Sequence, residues 1–443
     1  MSAQAAGQLR SFDAPAGSYE NDSLVVGFDR RTSAQAGSAS IAAAGAGTVE
    51  TAGPRSALVT VGSGGSLTMA AKKLAERPGV AWVKPNFRAH IADAWVPNDP
   101  GLGVVAGGWR SSQWNFAGRW GVNVLPAWQL LRDRKRSGGK GVKIAIVDTG
   151  VAYSNYGRYR VSPDLRGVKV ESPHDFLDHD THANDRNGHG THVASTIFER
   201  TNNGLAMTGL AYNATLIPIR ALDSQGYGDE VMVARAIRYA ADRGADIINL
   251  SVEFDVKLSH GALPTIIAAM QYAREKGSLV VAAAGNQQSH RVAYPARSEY
   301  ALAVGATTFS GCLADYSNYG KGLDLVAPGG GLDYTELDIR SGSTDLRRCK
   351  ASHRPRAIYQ MTFGKRLNHF YMPGFYEGTS MAAPHVSGTA ALVIASGVIG
   401  ADPTPDQLQA RLEATATDLG YPGRDKRYGS GLVNAGRAVG ASD

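Results

Sequence analysis

From about residue 140 onward, short uninterrupted apolar runs alternate with amphipathic helical patterns, and few architectures accept that order. "KIAIVDTG", "ATLIPIRAL", "ADIINLSV", "SLVVAAAGN", "ALAVGAT" and "LDLVAP" each read as a strand that is apolar on both faces. Between and after them, "EVMVARAIRYAADRG", "LPTIIAAMQYAREKG", "SMAAPHVSGTAALVIASG" and "TPDQLQARLEATAT" carry helical periodicity. A strand with no polar face is buried on both sides, and helices interposed between such strands supply the cover. The pattern predicts an α/β fold built on a parallel sheet with helices on both faces. In such sheets ligands bind beyond the carboxyl ends of the strands. The residues that follow each strand are therefore the first place to look for chemistry.

The N-terminal fifth of the chain is organised differently. Residues 1–21 are small, polar and rich in Ala and Gly, and read as a flexible segment. Within 22–92, "SLVVGF", "SALVTV" and "VAWVKPN" read as strands and "SLTMAAKKLAER" as a helix, which makes a small α+β unit of marginal size for independent stability. "ADAWVPNDPGLG" has linker composition, so the large domain is assigned to 93–443. The formal charge of +7 comes from Lys and Arg scattered along the chain, which argues against nucleic acid as a partner. No run of about 18 apolar residues is present to span a membrane. The two cysteines, Cys312 and Cys349, are open to either reading, reduced thiols or one disulfide.

Four residues stand at the ends of strands or helices in the large domain. Asp148 closes "AIVDTG". "NGHGTHVAS" offers His189 at a helix entrance and His192 one turn on, the second read as a packing residue; neither HExxH nor a paired-cysteine pattern supports zinc. "YEGTSMAAPHVSG" places Ser380 at the mouth of an uncharged helix. Serine is a weak nucleophile that needs a base, and a helix N-terminus favours a developing oxyanion. Asn286, after "VVAAAG", can add a side-chain amide to that oxyanion. Together they make a Ser–His–Asp set with an oxyanion donor: Ser380 attacks, His189 takes and returns the proton, and Asp148 orients the imidazole.

The order Asp, His, Ser, in "DTG", "GHGTHVA" and "GTSMAAPHVSG", resembles the subtilisin-like serine peptidases over about residues 95–440. Residues 22–92 resemble the family's inhibitory propeptide, a small ferredoxin-like domain. The resemblance implies a three-layer subtilisin-like domain and a serine endopeptidase made as a self-processing proenzyme, working through an acyl-enzyme. It implies polypeptide substrates, the chain's own propeptide as inhibitor, a monomer, and secretion with the signal segment removed. "MSAQAAGQLRSFDAPAG" has no apolar core of its own, so an intracellular or cell-associated processing protease is the alternative. A catalytically silent binding protein on the same scaffold is the reading from another class, and the presence of all four residues argues against it.

The family's substrate-pairing edge falls on Gly226, Tyr227 and Gly228, and the opposite wall on Ser251, Val252 and Glu253, where relatives carry glycines. Glu253 is expected either to charge that wall or to swing into solvent. Ala293 stands at the base of the S1 pocket, which with Phe254 implies small P1 residues. The matched propeptide end implies cleavage after Ala92, with Ala89 at P4 and a mature N-terminus at Asp93. A structural Ca²⁺ is implied on Asp99, Asp164, the side chain of Asn203 and the carbonyls of Leu205 and Met207. The acidic and histidine-rich run 174–187 reads as a solvated loop. About forty extra residues before Ser380, including "RSGSTDLRRCKASHRPRAIYQ", are expected to form a surface loop near the cleft.

Overall fold

The computed structural model describes residues 8–10, 12, 19–42, 49–61, 66–87, 95–334, 349 and 355–441. The chain divides into two compact units, Met1–Asp93 and Ala94–Asp443.

In the first unit, strands β1 (Gln8–Leu9), β2 (Tyr19–Phe28), β3 (Val49–Gly53), β4 (Ser56–Thr60) and β5 (Val80–Phe87) form one sheet in the order β1-β5-β2-β4-β3. Helix α1 (Ala34–Ala42) follows β2 and helix α2 (Leu67–Ala75) follows β4. The β2–β5 set is a ferredoxin-like βαββαβ unit with antiparallel pairing throughout. Leu24, Val26 and Phe28 point alternately from β2 into a core with Ile41, Val59 and Val83. Gly27 faces Trp82 across the sheet, and a Cβ at Gly27 would lie 2.0 Å from the indole. Ser66 caps α2 by accepting the Met69 N–H. Residues 1–21 are not simply a flexible lead: Gln8–Leu9 adds a parallel strand to β5, and β2 already begins at Tyr19. Helix α1 and strand β3 escape sequence reading because "AQAGSASIA" and "VETAG" carry too few large apolar residues to show a period.

The second unit holds a seven-stranded, wholly parallel sheet: β6 (Lys143–Asp148), β7 (His174–Asp175), β8 (Thr215–Arg220), β9 (Ile247–Leu250), β10 (Leu279–Ala283), β11 (Leu302–Thr307) and β12 (Leu325–Pro328). The order is β12-β11-β10-β9-β6-β8-β7. Strand β6 comes first in sequence and lies inside the sheet; β7 and β8 build out on one side and β9 to β12 on the other. The topological switch point therefore falls at the end of β6, where Asp148 sits.

The alternation along β6 separates two cores. Ile144 and Ile146 pack with α3 (Val124–Asp133), α4 (His189–Phe198) and α7 (Thr379–Ser396), while Ala145 and Val147 pack with α5 (Glu230–Asp242) and α6 (Pro264–Glu275). Helix α7 has no charged residue because nearly its whole circumference is buried. Its small residues let it approach closely: a Cβ on Gly388 would come within 2.8 Å of Leu210. Gly397, at φ 68°, ends it.

Cys312 and Cys349 form a disulfide. The insertion is not simply a surface loop. Residues 335–348 and 350–354 lie outside the described residues, but Ile358, Met361 and Phe363 are buried. The Ile358 carbonyl accepts from His192 Nε2 (3.0 Å), and the Met361 carbonyl accepts from Ser195 (2.8 Å). This segment supplies partners to polar groups of buried α4, which a solvated loop cannot do. It ends in a short hairpin of β13 (Thr362–Phe363) and β14 (Phe370–Tyr371).

Candidate active site

Asp148 is fully buried at the end of β6, and His189 opens α4. His189 Nδ1 donates to Asp148 Oδ1 at 2.8 Å, and the same oxygen accepts the Thr149 N–H at 2.7 Å. The two elements can approach because residue 190 is glycine: a Cβ there would lie 2.1 Å from the Gly150 carbonyl and 3.0 Å from Asp148. Burial disfavours the imidazolium, but the Asp148 charge and hydrogen bond, with Asp185 behind, outweigh it and raise His189 above the ordinary histidine value. His192, by contrast, is fully buried, stacks on Tyr376 with ring centroids 4.1 Å apart, and is pushed down to about 3 by desolvation. It is a neutral packing residue.

Ser380 is the second residue of α7. Its Oγ donates to the Ser251 carbonyl at 3.3 Å, and Ser251 Oγ donates back to the Ser380 carbonyl at 2.9 Å. Asn249 and Ser387 continue this network and tie β9 to α7. Asn286 is fixed at its oxygen: Oδ1 accepts from Thr379 N (2.8 Å) and Thr379 Oγ1 (2.9 Å). With the oxygen so engaged, the amide Nδ2 is the end left to donate. Asn286, Ser380 and His189 all line one cleft of about 430 Å³.

The same cleft is lined by Gly226, Tyr227, Gly228, Ser251, Val252 and Glu253. Glu253 does not swing free. Its Oε2 accepts the Asn286 backbone N–H at 2.8 Å, and partial desolvation raises its carboxyl above the usual range despite that bond and one from Gln287. Ala293 is wholly buried, with its N–H on the Ala284 carbonyl (2.9 Å), and is not among the cleft-lining residues. Ala89, Ala92 and Asp93 lie outside the described residues.

One organising residue was missed by sequence reading. Buried Asp185 accepts five hydrogen bonds: Oδ1 from Thr149 Oγ1, Asn187 N and Gly188 N, and Oδ2 from Thr191 N and Thr191 Oγ1. It holds the turn that delivers His189. Its position four residues before that histidine, in a loop bound for a buried helix, was the available clue. Charge alone made it look like part of a solvated run. That reading also fails for Asp175, which is buried and bonded to the equally buried Arg220 at 2.8 Å.

At the other end of α4, Asp99 and Asp164 are both fully buried. Asp99 accepts from Asn202 N (2.7 Å) and Asn203 N (3.0 Å); Asp164 accepts from Asn203 Nδ2 (2.8 Å) and Met207 N (3.2 Å). Burial raises both carboxyls, Asp164 to about 7, with repulsion from Asp99 adding to the shift in Asp164. Among the described residues neither has an ion pair, and no group of three His, Cys, Asp or Glu converges as metal ligands. The groups that face these two buried carboxyls are N–H donors: Asn203 turns its Nδ2 to Asp164 while its Oδ1 accepts from Leu205 N (2.9 Å), so of the expected ligands only the two carboxyls, hard oxygen donors of the kind Ca²⁺ takes, stand together.

The chain is similar to known proteins over most of its length. Residues 139–431 match the model of the subtilase family, and residues 7–86 match the fervidolysin N-terminal prodomain. The chain is 33% identical over 423 residues to a thermophilic serine proteinase of Bacillus sp. (strain AK1), covering 96% of this chain and 88% of that protein. It is 35% identical over 318 residues to thermitase of Thermoactinomyces vulgaris, covering 72% and 93%. Among solved structures, a protease from Pseudoalteromonas arctica PAMC 21717 superposes with a TM-score of 0.61 at 28% identity, covering 79% of this chain and all of that one. The chain belongs to the subtilase family: it is a subtilisin-like serine protease, a hydrolase, with an N-terminal prodomain.

Proposed function

We propose that the protein is an endopeptidase that cuts itself free of its prodomain and then hydrolyses polypeptides through an acyl-enzyme on Ser380. The observation that carries this reading is the preset pairing of His189 Nδ1 with Asp148 (2.8 Å) in the cleft that Ser380 and Asn286 share. Because Nδ1 holds the proton bonded to Asp148, Nε2 is the basic nitrogen. It takes the Ser380 proton as Oγ adds to the substrate carbonyl, and returns it to the leaving amine. Charge developing on the carbonyl oxygen meets Asn286 Nδ2 and the first amides of α7. Water then repeats the sequence on the acyl-enzyme. Among the described residues buried Asp148 Oδ2 has no hydrogen-bond partner, and the His189 and Thr149 bonds to Oδ1 are what satisfies this carboxylate.

The substrate backbone pairs with Gly226, Tyr227 and Gly228 on one side and with Ser251, Val252 and Glu253 on the other, as an added strand. Glu253 and Phe254 on the cleft wall support a preference for small P1 residues. Self-cleavage follows Ala92 and leaves residues 93–443 as the mature domain, with residues 22–92 as the inhibitory prodomain. Asp99, Asp164, Asn203, Leu205 and Met207 hold a structural Ca²⁺, which would neutralise the two buried carboxylates and brace the loop beyond α4. On this reading the protein is an extracellular monomer, with its prodomain as intramolecular inhibitor. No helix among the described residues is long and apolar enough to cross a membrane. Labelling with a serine-directed fluorophosphonate tests the assignment: the processed protein labels and the Ser380→Ala protein does not. Equal labelling of both would refute it.

A further inference from the structure

A second cavity, of about 530 Å³, is lined by Arg158, Arg186, Ser224, Lys365, Leu367 and Asn368. Three of these six residues are cations and none is a carboxylate. The cavity shares a wall with the catalytic cleft. Asn187 and Gln225 line the cleft, and their chain neighbours Arg186 and Ser224 line the second cavity. Asn187 Nδ2 donates to the Ser224 carbonyl at 3.0 Å, closing that wall two residues from His189. Lys365 lies in the turn between β13 and β14, and Thr362 of the same hairpin donates to the Gly188 carbonyl at 2.5 Å. The cavity is thus fastened to the turn that carries the catalytic histidine.

The charge of this cavity is only partly answered from within the protein. Arg186 pairs with Asp178 but keeps a buried Nε with no hydrogen-bond partner among the described residues. Arg158 lies over the Tyr159 ring, 5.5 Å from its centroid. Among the described residues neither Arg158 nor Lys365 has a carboxylate within ion-pair distance. Asp223, next to Ser224, is committed to the backbone N–H groups of Gln225 and Tyr227, 2.8 and 3.0 Å away.

We propose that this cavity is a substrate subsite for an acidic side chain, and that the protease favours Asp or Glu within two residues of the scissile bond. The inference rests on the reading of Ser380 as the nucleophile. A substrate carboxylate placed against Lys365 and Arg158 replaces water at two cations that have no carboxylate partner among the described residues.

The test uses the self-processed protein and a set of quenched peptides of one scaffold, with Asp, Glu, Asn or Gln at each position from P2 to P2′. For the favoured position, kcat/KM for the acidic peptide should exceed that for its amide by about three- to tenfold at low salt. The ratio should collapse toward one at about 1 M salt, where charges are screened within about 3 Å. In Lys365→Glu and in Arg158→Glu the ratio should fall below one, with the amide peptide as the internal reference for each protein. Amide peptides cleaved well, with no acidic preference at any position, would overturn the subsite and leave the catalytic reading standing. No cleavage of any peptide would overturn both.

Discussion

Asp185→Asn isolates what the carboxylate beneath the His189 turn contributes. The change is isosteric at a site only 2% exposed, so packing is conserved. The amide oxygen can still serve Thr149 Oγ1, Asn187 N and Gly188 N. The new NH₂, however, replaces the acceptor facing Thr191 N (2.9 Å) and Thr191 Oγ1 (2.6 Å). The hydroxyl can rotate and accept, but the backbone N–H cannot, so one buried donor is orphaned at about 1–3 kcal/mol. The remaining bonds lose their charge assistance. Release from burying a charge opposes this, since desolvation already raises the Asp185 carboxyl. The net expectation is about 2 kcal/mol of destabilisation, and a kcat lower by about tenfold as the turn delivering His189 loosens. Melting temperatures are compared at one scan rate in the Ser380→Ala background, which avoids self-digestion, and kcat is measured in the active background. A variant with the parent's melting temperature and kcat would show that Asp185 does not hold the turn.

On the proposed mechanism Asn286 is the oxyanion donor, so Asn286→Ala should lower kcat by about 10²–10³ with little change in KM; a loss confined to KM would contradict the role. On the proposed mechanism His189 accepts the Ser380 proton and must be neutral to do so; its value is raised, so activity should be lost as pH falls through a midpoint above the ordinary histidine value of 6.5. Asp148→Asn removes the charge that raises it, so the residual activity's acid limb should move to lower pH; an unmoved limb would assign it to another group. If Ca²⁺ sits on Asp99 and Asp164, chelation of the metal-loaded mature enzyme should lower its melting temperature, by an amount that grows with the log of the fold-reduction in free Ca²⁺ until the site is empty. Coincident melts with and without chelator would remove the metal.

The parallel sheet was legible because its strands are doubly buried and must be apolar throughout, and "AIVDTG", "NGHGTHVAS" and "GTSMAAPHVSG" kept small residues where elements approach closely. Gly190 beneath Asp148 is such a place. What sequence reading missed was polar and buried. Asp185 and Asp175 look like surface charges until the fold supplies their partners, buried Arg220 among them, and the residues 357–363 segment looks like an insertion until it satisfies His192 and Ser195. Burial of a charge is decided by contacts distant in sequence, so no local pattern announces it. Helix α1 escaped for the opposite reason, since its Ala, Gly and Ser carry too little apolar contrast to show a face.

The central claim is that one site matures the chain and then hydrolyses substrate. Purified full-length protein and its Ser380→Ala variant, kept in protease-free buffer with Ca²⁺, are followed by intact mass and N-terminal sequencing. The account predicts that the parent yields a chain beginning at Asp93, within about three residues, while the variant stays at full length. Maturation of the Ser380→Ala protein at the parent's rate, or a mature chain beginning well past Pro100 and so lacking Asp99, would contradict it.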